Sequence, residues 1–72
     1  MPKRVEMFPV SSSNVDSLGY DDDRDVMIVE YAHGGQYEFR VDRDRFEKIL
    51  NSDSVGKALH KLKQDGIEGR KI

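Results

Sequence analysis

Ser54-Val55-Gly56-Lys57 is the stretch of this 72-residue chain whose residue types are best matched to chemistry. A hydroxyl that can cap a helix, a residue without a side chain and a lysine can together meet one anion. They would offer a hydroxyl, free backbone N–H groups and a cation to a phosphate or carboxylate at a helix N-terminus. The glycine loop that completes a P-loop does not precede them, so the motif suits anion contact and not nucleotide hydrolysis. Lys61 and Lys63 extend the basic character along the same segment. The candidate anion or nucleic-acid site is therefore Ser54, Gly56, Lys57, Lys61 and Lys63. The plainer reading is that Ser54 only caps and that Gly56 lets the helix pack closely.

Other reactive types are scattered. Asp21, Asp23 and Asp25 have the D-x-D-x-D spacing of a calcium loop, but Val26 stands where its glycine belongs and Ala32 where its glutamate belongs. Solvated turn carboxylates are the expectation. His33 falls at a hairpin tip and His60 on a half-exposed helix position, without the paired spacing of a zinc site. Ser11, Ser12, Ser13, Ser17, Ser52 and Ser54 sit where caps and turns use a hydroxyl, and there is no cysteine. No nucleophile, base or metal set assembles, so a non-catalytic protein with no cofactor and no metal is expected.

Tyr37 and Phe39 are two residues apart on a strand and share one face with Val41. As core, they would meet Phe46, Ile49, Leu59 and Leu62; as a stacking platform, they would take up unpaired bases on an open sheet. The apolar stripes of two helices must be covered, and this is the most apolar face available, so core is the expectation.

Positioning these residues requires a hairpin. Met27, Val29 and Tyr31 share a face across from Tyr37 and Phe39 only if the strands are joined by a three-residue loop, read here as His33-Gly34-Gly35. Before it, Met7 to Val10 forms a short edge strand marked by Pro9. Ser11 to Asn14 is a polar link. Val15 to Tyr20 is a strand in which Leu18 and Tyr20 share a side that Val15 does not, with an irregularity at Gly19. After Val41 the period becomes 3.6. Asp42 or Asp44 caps a helix bearing Phe46, Ile49 and Leu50, and Ser54 caps a second bearing Val55, Ala58, Leu59 and Leu62, which Gly66 stops. The fold class is α+β: an antiparallel β-meander of three to four strands, then two short helices on one sheet face. One domain spans residues 7–64, with a flexible N-terminus over 1–6 and a flexible tail over 65–72.

At 36% apolar residues the chain is modest in core but clustered and periodic, so it folds. No run is long enough to span a membrane and no signal peptide opens the chain, so the expectation is a soluble, cytoplasmic protein, monomeric or weakly dimeric. The net charge of −2 is uneven. Residues 1–54 are acidic, whereas Lys57, Lys61, Lys63, Arg70 and Lys71 outweigh Asp65 and Glu68 in the remainder. A local basic surface can meet phosphate although bulk charge does not draw nucleic acid.

Ser12-Ser13-Asn14-Val15, Gly19-Tyr20-Asp21, Tyr37-x-Phe39 with Val41, and Ser54-Val55-Gly56 occur in an order and spacing that resembles the KTSC domain family over residues 9–63. That family occurs alone in bacterial and phage proteins and at the C-terminus of some lysyl-tRNA synthetases. Phe39 replaces its usual second tyrosine, Asp42 its proline, and Ala58-Leu59-His60 its later aromatic segment. The resemblance implies a bacterial or phage protein, and its synthetase context implies RNA binding. The expected function is a small binding module for RNA or other nucleic acid, through the basic second helix. The competing expectation is a protein-interaction domain using the acidic Asp21–Asp25 loop or an exposed sheet edge.

Overall fold

Two carboxylates and a glycine set the turns around which the sheet forms. In the computed structural model, which describes residues 5–72, the Asp21 carboxylate accepts the N–H groups of Asp23 at 3.0 Å and Arg24 at 3.3 Å. Asp25 closes that turn at φ 53°, a left-handed conformation that aspartate tolerates. Asp21 is thus spent on its own backbone and, at 8% exposed, is buried in the turn, where a solvated carboxylate was expected. At the next corner the Tyr31 N–H donates to the Gly35 carbonyl and the Gly34 N–H to the Tyr31 carbonyl, both at 2.9 Å. Gly34 has φ 101°, the position a three-residue hairpin loop reserves for glycine. The loop is Ala32-His33-Gly34, one residue earlier than expected. Met27 therefore faces Phe39 and Val29 faces Tyr37. The loop length is as expected, so the two apolar sets still share a face.

The chain runs β1 (Met7–Pro9), β2 (Val15–Asp21), β3 (Val26–Tyr31), β4 (Gln36–Phe39), α1 (Arg43–Leu50), α2 (Val55–Gln64) and β5 (Arg70–Lys71). All neighbours are antiparallel, in the sheet order β1-β2-β3-β4-β5. Both helices cover one face. Asp42 caps α1, its carboxylate accepting the Arg45 N–H at 2.8 Å, and Ser54 caps α2. Leu18, Met27, Val29 and Phe39 from the sheet meet Phe46, Ile49, Val55, Leu59 and Leu62 from the helices.

Three further expectations need correcting. The irregularity in β2 lies between Val15 and Ser17, not at Gly19. One extra residue there turns Val15 onto the same face as Leu18, and both are buried in the core. Gly19 pairs regularly, and its bare Cα is needed because a Cβ would lie 2.5 Å from Met7 Sδ and 2.6 Å from the Glu6 carbonyl. Next, Phe39 is 1% exposed, whereas Tyr37 is only half-buried, so the aromatic pair divides between core and surface.

The third correction concerns the tail over 65–72, which is a structured part of the domain and supplies a fifth strand. Gly66, at φ 86°, donates to the Lys63 carbonyl at 3.1 Å while Ile67 donates to Leu62 at 2.9 Å, the double bond of a Schellman motif. That reversal packs Ile67 against the core. Gly69 then rests on the Phe39 ring, where a Cβ would sit 2.6 Å from Cζ. β5 pairs with β4, and the Ile72 N–H reaches the Gln36 carbonyl at 3.0 Å. Of the expected N-terminal segment 1–6, residues 1–4 lie outside the described residues. No helix among those described is long and apolar enough to cross a membrane.

Candidate functional site

Ser54 leaves the helical conformation at φ −139°, ψ 102°, and its Oγ accepts the Lys57 N–H at 3.3 Å. That hydrogen bond satisfies one of the free donors of the first turn of α2 and leaves the others facing outward. Gly56 is the second residue of the helix, and a Cβ there would meet nothing within 4 Å. Close helix packing therefore does not explain this glycine. It costs the helix stability that alanine would supply, and what it gives in return is an uncovered backbone.

Across from this turn lies the polar link between β1 and β2. A cleft of about 410 Å³ separates the two, with Ser11 to Asn14 on one wall and Asp53, Ser54, Gly56 and Lys57 on the other. The structure thus brings the serine-rich segment and the Ser-x-Gly step, about 40 residues apart in the chain, face to face. Asp53 opposes the charge of Lys57 at the cleft mouth and limits how strongly it attracts an anion.

A smaller cavity of about 140 Å³ continues from there, sharing Asn14 and Gly56 and reaching Tyr31, His60 and Lys63. Tyr31, which lines this cavity, is stacked parallel with His33 outside it, with ring centroids 5.4 Å apart and planes 5° apart. Tyr37 meets the Tyr31 ring edge-on at 5.3 Å. Burial, then the neighbouring Tyr37 hydroxyl, pushes the Tyr31 hydroxyl above its ordinary pKa, so it is a neutral group at physiological pH. His33 is exposed, leaving the outer face of its ring open.

The five residues expected to share a site are divided by the helix surface. Ser54, Gly56 and Lys57 line the cleft, and Lys63 lines its continuation beyond Gly56. Lys61 faces a separate groove between the helices, beside Arg45 and Lys48, where Arg45 is paired with Asp65. Tyr31 and His33 were not expected at a site. Their signal was available as Tyr31-x-His33 opposite Tyr37 in the hairpin, but His33 reads as an ordinary turn residue until the rings are seen stacked. Among the described residues, no group of three His, Cys, Asp or Glu side chains could hold a metal.

The groove can therefore offer backbone donors and an ammonium group at one end and stacked rings with a second ammonium group at the other. No curated protein matches the chain. The crystal structure of the KTSC domain protein YPO2434 from Yersinia pestis is similar, at 26% identity and a TM-score of 0.83, over 96% of this chain and 99% of that one. The KTSC domain family model matches residues 11–63, which contain both walls of the cleft and the aromatic hairpin. The chain belongs to the KTSC domain family.

Proposed function

We propose that this protein is a small non-catalytic module that binds single-stranded nucleic acid, RNA foremost, along the groove from Lys57 to His33. The observation that carries the reading is that two adjoining cavities share Asn14 and Gly56: the helix N-terminus with Lys57 lines one, Lys63 and Tyr31 line the other, and His33 stacks on Tyr31. Phosphate would take the amides and ammonium groups, and a base would stack on the exposed His33 ring. Lys61 and Lys48, in the adjacent groove, would extend the phosphate track. The reading assigns the protein to the bacterial cytoplasm, alongside RNA, as a monomer or weak dimer.

A protein partner is the second reading, favoured by Phe8, which is 39% exposed on the edge strand β1. The acidic loop is a weaker docking surface, because Asp22 already pairs with Arg43 at 2.8 Å and Asp21 is turned into its own backbone. An NMR titration of labelled protein with a short mixed-sequence RNA at low salt separates the readings. Shifts at Asn14, Gly56, Lys57, Lys63 and His33 that added salt reverses are expected. Lys57→Glu should remove them while leaving the melting temperature within a few degrees, because Lys57 is exposed. A silent spectrum would end the nucleic-acid reading and turn attention to the β1 edge.

A further inference from the structure

The most spacious cleft described, about 620 Å³, opens on the Val26 and Glu38 side of the sheet and is bounded by the tail that leaves α2. Glu38 and Arg70 are directly paired across β4 and β5 and so point to the same side. Arg40 follows the end of β4, in a turn closed by the Val41 N–H donating to the Phe39 carbonyl at 3.0 Å, and lines the same cleft, and Val26 shares the Glu38 side of the sheet on β3. Arg24 reaches in from the β2–β3 turn, and Gly66, Ile67 and the carboxylate of Glu68 come from the returning tail, so that three arginines and two glutamates line the cleft.

The charges here are not balanced among themselves. Glu38 is 12% exposed and its buried Oε2 lies 2.9 Å from Arg24 Nη2, an ion pair whose angle falls short of a hydrogen bond. Arg24 and Glu38 thus offset one another. Arg40 and Arg70 have no carboxylate partner among the described residues, although Glu38 is two residues from one and directly across from the other. Arg40 and Arg70, both exposed, outnumber the one remaining carboxylate at this cleft, Glu68, and with Val26 and Ile67 beside them they can receive an oxyanion. Arginine forks pair two oxygens each, and two of them match a dianion better than a monoanion. A phosphate monoester is a dianion at neutral pH, whereas the diester of a nucleic-acid backbone is not. The volume leaves room for an organic group beside the phosphate.

We propose that this cleft is a second binding site, for a phosphate monoester held by Arg40 and Arg70 and resting on Val26 and Ile67. Glu38 is a positioning residue: it fixes Arg24 at the cleft wall and keeps the local field from attracting every anion equally. The monoester belongs to a free nucleotide or to the 5′-terminal phosphate of an RNA. The site stands on its own, since none of its residues belongs to the groove on α2.

The test is an NMR titration of the full chain, following arginine Nε–Hε signals, with adenosine 5′-monophosphate, inorganic phosphate, adenosine, and short RNAs with and without a 5′-phosphate. Saturable shifts of Arg40 and Arg70 are expected with every phosphate monoester and with inorganic phosphate, and none with adenosine. Arg43 and Arg45, already paired with Asp22 and Asp65, serve as internal controls. Arg40→Gln and Arg70→Gln should each weaken the nucleotide by about tenfold, the loss of one charge-assisted pair. Arg40 lies outside the strands, so its variant keeps the test sound if Arg70→Gln disturbs β5. Lys57→Glu should leave the nucleotide shifts unchanged. Tighter binding of the free nucleotide than of the 5′-phosphorylated RNA identifies a nucleotide site, and the reverse identifies an RNA end. Absence of saturation, equal shifts at Arg43 and Arg45, or unchanged affinity in both arginine variants would overturn the proposal.

Discussion

Gly56→Ala separates a glycine kept for stability from one kept for access. Gly56 has no positive φ to require it and open space where its Cβ would be. In a helix interior, alanine is worth about 0.5–1 kcal/mol over glycine. Gly56 lies in the first turn, where fewer hydrogen bonds depend on it, so about 0.5 kcal/mol is the fitting figure. In a domain of this size about 1 kcal/mol moves the melting temperature by about 4–8 °C, so the variant should melt about 2–4 °C higher by circular dichroism. The new methyl would stand between the amide and an incoming phosphate. Losing one hydrogen bond to a charged group costs about 1.5–3 kcal/mol, so RNA affinity at low salt should fall about tenfold or more. A lower melting temperature would mean that the glycine serves packing after all. A higher one with unchanged affinity would mean that the amide is not used, and the groove would lose its phosphate end.

The remaining predictions concern the core and the tail. Phe39→Ala should cost about 3–5 kcal/mol, a large share of the stability of any small domain, and urea denaturation would reveal it; a barely shifted midpoint would contradict the burial of this ring. Gly69→Ala puts a methyl 2.6 Å from Phe39 Cζ, so β5 should lift and the Ile72 amide should exchange with solvent much faster than in the parent chain. Tyr31 keeps its proton longer in the folded state than in the unfolded one, where its value is near 10.0. Its contribution to stability is complete below that pH and declines as pH rises through it toward the folded value. Melting temperatures measured across this range should fall less steeply for Tyr31→Phe, with a residual slope from Tyr20, whose hydroxyl is likewise raised by desolvation and then by Asp25.

The elements that could be read from the sequence were those with a period. Val55, Ala58, Leu59 and Leu62 repeat at helical spacing, so the cap of α2 at Ser54 and its stop at Gly66 were legible. The hairpin loop was placed one residue late because two adjacent glycines can each supply the left-handed position, and backbone pairing chose Gly34. The bulge in β2 was misplaced because glycine usually marks such sites. Here Gly19 answers a different demand, the approach of Val5 to Met7, which no local pattern announces. β5 was missed for want of length, as two residues carry no period and their place depends on Gly66 and Gly69. The site divided in the same way. Ser54, Gly56 and Lys57 were readable as a local motif, whereas the Ser11–Asn14 wall and the Tyr31–His33 stack exist only once distant segments meet.

The strictly sequential strand order also has a mechanical side. The first and last strands lie at opposite rims of the sheet, four strand spacings or about 19 Å apart. Tension between them acts across the strands and loads the hydrogen bonds of one edge at a time, as a zipper does, instead of shearing a whole ladder at once. A machine that draws the chain in from either end would meet two-residue β5 or three-residue β1 first, with only a few bonds to break before the core is reached. Optical-tweezers unfolding between the termini should therefore proceed at low force, and a high-force single rupture would show that the helix layer, not the sheet, bears the load.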